Sequence, residues 1–584
     1  MTLFILEHLA ALLVLLLAAA GAGRLAAGSR FSLPLRAALG LALLAQALFL
    51  LAAIGQLRTI PIVVLIVVAI AAGKPLTRPP ATLSPLRGAR GSRGEHAECP
   101  SPRSAGRRAC PERAKGVEGC REAADEGAST GNWQLATLFA ALFLLALSPP
   151  LAFDETLYHL PFVRALAASG QLRFLTDMRF PVFPQLQEML CVPMFLFVGD
   201  TATHLVSLAE VLITAALLLD WGERAGWLAA ALFLGSPIVM HLATVGYVDA
   251  ALTLFVTAGF YCLDRRRPAL AGIFLGTACS VKYLGGYFAV AALVIVVCQR
   301  SGAWKFVLSC VAAALPTTLW LIITTRNPVF PFFGTSAWSM SLPAVAGQTR
   351  IVRTLRLIWD VTFARGRVNW QPPVTPLLAA AVIVVLAAAL RDARARVVAF
   401  VCAAYLVVFA FLPQDSRYLV PLLPLLSIAA ATAAVARWPK IATWMAWIAV
   451  APGIAYVVYR LALQGIPPAT PDARAALLAK RIPEYAALTR ADDGTVYVCG
   501  GEQLKYYARG RLLGDFIGPY SYQRVLAGAD GTAAIAERLR RIDARYFLVA
   551  RRACAPPRPS GGMDLVYEDG AAQLWRVQRT QSAP

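Results

Sequence analysis

Apolar runs long enough to cross a lipid bilayer recur from one end of this 584-residue chain to the other. No other feature restricts its fold as strongly. Inside hydrocarbon, each backbone N–H and C=O must be satisfied within the protein, and helices achieve this for segments of such length. Candidate spans fall at 3–20, 37–54, 60–73, 133–148, 201–220, 225–240, 247–263, 268–281, 284–299, 304–324, 374–391, 396–412, 418–436 and 441–460, roughly fourteen in all. Hydrophobic residues make up 58% of the chain and charged ones 15%, too apolar a balance for a soluble protein. Leu3 to Ala20 has neither a basic leader nor a small-residue cleavage site, so it reads as a retained helix rather than a signal peptide.

The formal net charge of +22 comes without any nucleic-acid motif. Its arginines gather in short loops between apolar runs, where topology determinants belong. The run 183–198 carries Pro184, Gln185, Gln187, Glu188 and Pro193, and reads as an interfacial or half-inserted helix. Leaving it out of the spans puts Arg24/Arg30/Arg36, the 74–131 segment, Glu223-Arg224, Arg265-Arg266-Arg267, Arg300/Lys305, Arg391/Arg394/Arg396 and Arg437/Lys440 on the cytoplasmic side. Asp154-Glu155, Asp249, Lys282, Arg326, Arg417 and everything after Gly465 then share the outer face. Charges collected on one face near a membrane are costly and tend to mark function.

Three regions lack membrane character. Residues 74–132 are rich in Pro, Gly, Ser and Arg without periodicity, as expected of a disordered basic cytoplasmic loop or insertion. Its Cys99, Cys110 and Cys120, with His96, do not have zinc-ligand spacing. Most other cysteines (Cys191, Cys262, Cys279, Cys298, Cys310, Cys402) lie singly in apolar runs, so the eleven cysteines predict neither a disulfide framework nor a metal site. Long outer-face loops are expected at 149–200 and 325–373. Beyond the last span, TVYVCGG (Thr495–Gly501) and ARYFLVA (Ala544–Ala550) read as buried strands. TAAIAERLRRI (Thr532–Ile542) reads as an amphipathic helix, and Asp564–Val577 as a hairpin turning at Asp569-Gly570. Residues 464–584 are therefore expected to form a small outer-face α/β domain.

The stretch FDETLYHLPF, Phe153 to Phe162, follows the run that ends in Ser148-Pro149-Pro150. Two adjacent carboxylates at a water–lipid boundary have two uses. An Asp ahead of a helical pattern is a good N-cap, and a Glu in the first turn suits the helix dipole. A carboxylate at that depth can also act as general base toward an acceptor hydroxyl. Tyr158 and His159 line the same pocket on the second reading and anchor the helix at the interface on the first. Lys282, Arg326 and Arg417 stand at ends of apolar helices, where a long cationic side chain either snorkels or holds a phosphate. Asp249 heads an apolar helix and either caps it or orients the acceptor or the basic residues.

The order of segments adds a further signal. After a span come DETLYHLPFVRALAASGQLRF and FPVFPQLQEMLCVPMFLFVGD, then a span starting near THLVSLAEVL, and later GSPIVMHLATVGYVDAALTLF and GTACSVKYLGGYF. This order resembles the GT-C membrane glycosyltransferases, the superfamily of protein O-mannosyltransferases and of the aminoarabinose transferase of lipid A. In that pattern an acidic pair and a Tyr open the first large outer loop, and a second Asp heads a later helix, as Asp249 does here. RNPVFPFF (Arg326–Phe333) and SRYLVPLLPLL (Ser416–Leu426) are similar to motifs of its bacterial members. The resemblance covers roughly 133–460 and, more loosely, the terminal domain. The three N-terminal spans and the 74–131 insertion depart from the simpler pattern.

The resemblance implies a polytopic α-helical membrane protein of GT-C type, with a catalytic region at 133–463 and a small extracytoplasmic α/β domain. It implies an inverting glycosyltransferase of the inner (plasma) membrane, working on the outer face. The donor would be a sugar on polyprenyl phosphate, and the acceptor a hydroxyl of a lipid, glycan or protein. Asp154 and Glu155 are then the catalytic pair, with Asp154 deprotonating or orienting the acceptor and Glu155 supporting it. Tyr158, His159, Asp249, Lys282, Arg326 and Arg417 would bind substrate, with Lys282 and Arg417 on the lipid phosphate. No cofactor is indicated; the acidic pair could bind a divalent cation, but nothing requires one, and the bilayer, not nucleic acid, is the other partner. A transporter or flippase of lipid-linked sugars fits the helices and buried charge equally well. It would favour inverted repeats and helices interrupted at mid-membrane; no repeat stands out, and the charges lie at helix ends.

Overall fold

The computed structural model describes residues 1–73, 137–340, 352–413, 415–514 and 518–579. The expected 74–132 insertion lies outside them. The chain divides into two compact units, Met1–Gly73 with Ala141–Pro584, and Lys74–Ala140. The first unit holds most of the membrane helices and the C-terminal sheet.

The expectation of roughly fourteen spans meets six helices long and apolar enough to cross a bilayer among the described residues: Thr2–Arg30, Leu33–Ala53, Asp200–Leu234, Ala303–Thr325, Ser416–Arg437 and Ala442–Gln464. Six shorter apolar helices of 10–17 residues accompany them among the described residues. These make the chain an integral membrane protein. The expected span 225–240 is broken into Gly226–Leu234 and Pro237–Leu242, because Ser236 turns to an extended conformation ahead of Pro237. Gly235 at the break packs on the helix Ala442–Gln464, where an added Cβ would lie 1.7 Å from the Ala449 carbonyl oxygen. The run 183–198 forms the 12-residue helix Leu186–Phe197, with Pro193 inside it. At about 1.5 Å per residue its rise is well short of a hydrocarbon core about 30 Å thick.

The segment carrying the acidic pair winds unusually. Glu155–His159 forms a turn of π-helix, in which the Leu160 N–H bonds back to the Glu155 carbonyl. Pro161, at the start of the following helix Leu160–Ser169, has no N–H to continue a regular ladder. Turns of this kind are frequent at functional sites.

Past Gly465 the chain builds one mixed five-stranded sheet of β1 (Val496–Cys499), β2 (Leu512–Gly514), β3 (Tyr546–Ala550), β4 (Met563–Glu568) and β5 (Ala572–Val577), in the order β2-β1-β3-β5-β4. β1 runs parallel to β2 and β3, whereas β5 runs antiparallel to β3 and β4. Alternation along the strands sends Val496, Val498, Leu548 and Leu574 to one core, and Tyr497, Phe547 and Trp575 to another beneath the helix Gly531–Arg540. The β4–β5 hairpin turns at Asp569, whose carboxylate accepts the N–H groups of Ala571 and Ala572. One expectation is corrected: Cys499, at the end of β1, forms a disulfide with Cys554, 55 residues on. A lone pair at that separation gives no spacing signal, and only the parallel packing of β1 on β3 brings the two segments together.

Candidate active site

Charged groups from several helix ends and loops converge on Arg417. Asp415 opens the turn Ser416–Leu422 by accepting the Arg417 backbone N–H at 3.0 Å. The same carboxylate takes the side chain, Oδ2 lying 3.0 Å from Nε and 2.8 Å from Nη2, while Asn369 Nδ2 donates to it at 2.8 Å. Nη2 also donates to Asp154 Oδ2 at 2.9 Å, and Nη1 lies 3.8 Å from Asp249 Oδ2. The guanidinium stacks 4.4 Å above the Tyr247 ring and is buried. A second cation completes the group: Lys282 Nζ bonds Asp249 Oδ1 at 2.7 Å and lies 4.4 Å over the Tyr418 ring. Three carboxylates thus share two cations. A phosphate that takes Nη2 has to displace a carboxylate, whereas Nη1 comes only within 3.8 Å of Asp249 Oδ2.

Asp154 makes no side-chain capping bond. Burial raises its carboxyl pKa, but Arg417, together with His159 and Arg179, more than reverses this, and the group is held below the ordinary carboxylate range. Glu155 reaches back instead, with Oε2 accepting the Ala152 N–H at 3.3 Å. Its Oε1 accepts the Gly246 N–H at 2.8 Å and pairs with His204 Nε2 at 2.5 Å. Fully enclosed, Glu155 thereby ties the π turn to the loop ahead of the Asp249 helix. A Cβ at residue 246 would come 2.5 Å from Glu155 Oε1, so only glycine fits beside the carboxylate.

Tyr158 and His159 sit in an aromatic pocket with Phe180 and Phe183. Burial, reinforced by the Asp154 charge, pushes the Tyr158 phenol well above its ordinary pKa, so it stays protonated. His159 Nδ1 pairs with Glu188 Oε1 at 2.5 Å, which fixes its ring. The structure therefore brings Asp154, Asp249, Lys282 and Arg417 together, with Tyr158 and His159 alongside Asp154 on one segment. Arg326 stands apart. It ends the helix Ala303–Thr325 in a left-handed conformation and lines another cavity of about 580 Å³ with Phe174, Phe333 and Trp338. Among the described residues no contact joins it to the Arg417 group.

Sequence reading did not place Asp415, Tyr247, Tyr418, Glu188 or His204 in a site. Asp415 had one usable signal, its place two residues before Arg417 ahead of a helix. The rest are defined by helix packing. No group of three or more His, Cys, Asp or Glu side chains among the described residues is placed to hold a metal ion.

One protein-family model, SF2091/S2213, matches residues 473–576. No curated protein matches the chain. Among solved structures, ArnT from Cupriavidus metallidurans in the apo state is similar with TM-score 0.51 at 17% identity, covering 77% of this chain and 98% of that one. ArnT from the same organism bound to undecaprenyl phosphate gives TM-score 0.44 at 14% identity over the same shares. At 17% identity the apo structure shows that the chain shares the fold of ArnT.

Proposed function

We propose that this integral membrane protein is an inverting glycosyltransferase that moves a sugar from a polyprenyl-phosphate donor to an acceptor hydroxyl on the outer face of the inner membrane. The observation that carries this reading is the bond between Asp154 and Arg417, a candidate base and a candidate phosphate ligand joined within one charged group. On this reading the donor phosphate takes Arg417 Nη2 and the edge of Lys282, displacing Asp154. Once released, Asp154 accepts the acceptor's hydroxyl proton. The acceptor oxygen attacks the sugar C1 opposite the phosphate, the C1–O bond breaks, and its electron pair leaves on the phosphate oxygen. Glu155 holds the π turn in place, and Asp249 keeps Lys282 oriented. The Cys499–Cys554 disulfide supports an outer-face C-terminal domain, since disulfides persist in oxidising compartments.

The test is direct. Purified protein in lipid nanodiscs, given polyprenyl-phosphate sugar labelled in the sugar and an envelope extract as acceptor, should release polyprenyl phosphate as label enters the acceptor. A donor that is moved across proteoliposome membranes intact would overturn the reading in favour of transport.

A further inference from the structure

Tyr506 belongs to the C-terminal domain, next after the turn Glu502–Lys505 that follows β1. Beside a contact of its N–H with the Leu504 carbonyl, its hydrogen bonds lead out of that domain. The backbone N–H donates to the Thr156 carbonyl at 3.0 Å. Its own carbonyl accepts from Arg164 Nη1 at 2.7 Å, and the phenol donates to Asp200 Oδ2 at 2.8 Å. The Arg164 guanidinium also lies 5.3 Å from the Tyr506 ring centroid. One residue thus ties together the π turn, the helix Leu160–Ser169 and the turn Asp200–Thr203. Its neighbours anchor the same stretch: Lys505 Nζ bonds Asp177 Oδ2 at 2.9 Å, and the Tyr507 hydroxyl bonds the Pro150 carbonyl.

The bond to Thr156 answers a need created by the sequence. In the π turn the Leu160 N–H is committed to the Glu155 carbonyl. The next donor in that winding, the one due to Thr156, would be residue 161, which is proline and has no N–H. Thr156 is fully buried, so water does not replace the missing donor. A buried carbonyl without a donor costs about as much as a lost hydrogen bond. The N–H of Tyr506 fills the place that Pro161 leaves open.

We infer that Tyr506 is a positioning residue. Through it the C-terminal domain holds the π turn in the winding that presents Asp154 to Arg417. This inference rests on the transferase reading for its effect on catalysis, but its effect on the turn is independent of that reading.

The test uses the full chain in nanodiscs. Tyr506→Ala should make amide hydrogen exchange across 152–160 faster and lower kcat roughly ten- to hundredfold, as displaced catalytic groups do. Donor KM should hold or fall, because Lys282 and Arg417 lie on other elements and a displaced Asp154 competes less for Arg417. Tyr506→Phe keeps the ring over Arg164 and should recover most of kcat. Arg164→Ala loosens the same contact without touching the C-terminal core and should move both readouts in the same direction. Unchanged exchange across 152–160, or a fall in thermal stability with kcat per folded molecule intact, overturns the inference. If the wild type transfers no sugar, the transferase reading fails, while the exchange result still decides whether Tyr506 holds the turn.

Discussion

A single nitrogen of Arg417, Nη2, donates to Asp415 Oδ2 at 2.8 Å and to Asp154 Oδ2 at 2.9 Å. Asp415 is two residues away in sequence and Asp154 is 263 away, so only the second bond reports on the fold. On the proposed function it also sets donor and base in competition, because the cation proposed for the donor phosphate is occupied by the carboxylate proposed for the acceptor.

Asp154→Asn should therefore have opposite effects on chemistry and on binding. Transfer should fall by roughly two or more orders of magnitude, as for a lost general base. Polyprenyl-phosphate binding should hold or tighten, since a neutral amide competes less well for Arg417. Arg417→Ala should instead weaken that binding. Lipid-phosphate titration of the three proteins, alongside the transfer assay, checks the pair of effects. Weaker binding by Asp154→Asn would remove the competition.

The Asp154–Arg417 pair also fixes a pH window. Burial raises the Asp154 carboxyl pKa, and Arg417, with His159 and Arg179, brings it below its ordinary value of about 3.9. A carboxyl lowered on folding adds stability above its unfolded pKa and loses it as pH falls through the folded one. The stability difference between wild type and Asp154→Asn should stay constant from neutral pH down to about 4 and close below that. Thermal unfolding in detergent across this range measures it. A difference that closes nearer neutrality would mean that burial outweighs Arg417.

Gly246→Ala forces a Cβ to within 2.5 Å of Glu155 Oε1, an atom also held by His204 and the residue 246 N–H. Moving the carboxylate would strain its bonds to His204, Gly246 and Ala152. The expected cost is about 1–3 kcal/mol, the range of overpacked cores, with transfer reduced because the π turn shifts. An unchanged melting temperature would show that the turn yields without cost.

The disulfide gives a prediction specific to the C-terminal domain. Cys499→Ser should destabilise that domain by about 2–4 kcal/mol, the usual effect of losing such a bridge. Limited proteolysis should then cut within 465–579 at protease levels that the wild type survives. Alkylation of Cys499 in unreduced, denatured wild-type protein would show that the bridge does not form.

The sequence alone determined that this is a membrane protein with a small terminal sheet domain. Bilayer-length apolar runs and alternating strands are local patterns, each readable without its partners. It also pointed to Asp154, Asp249, Lys282 and Arg417, because charge at the ends of apolar segments is conspicuous one residue at a time. Their joint geometry was decided by the tertiary structure, since an ion pair depends on where helix ends meet in space. Packing decided that Asp154 bonds Arg417 and makes no capping bond, that Glu155 is enclosed by His204 and Gly246, and that Cys499 meets Cys554. Pro161 shows where local information stops. The sequence reveals that this residue offers no N–H, but only the folded chain brings Tyr506 to bond Thr156.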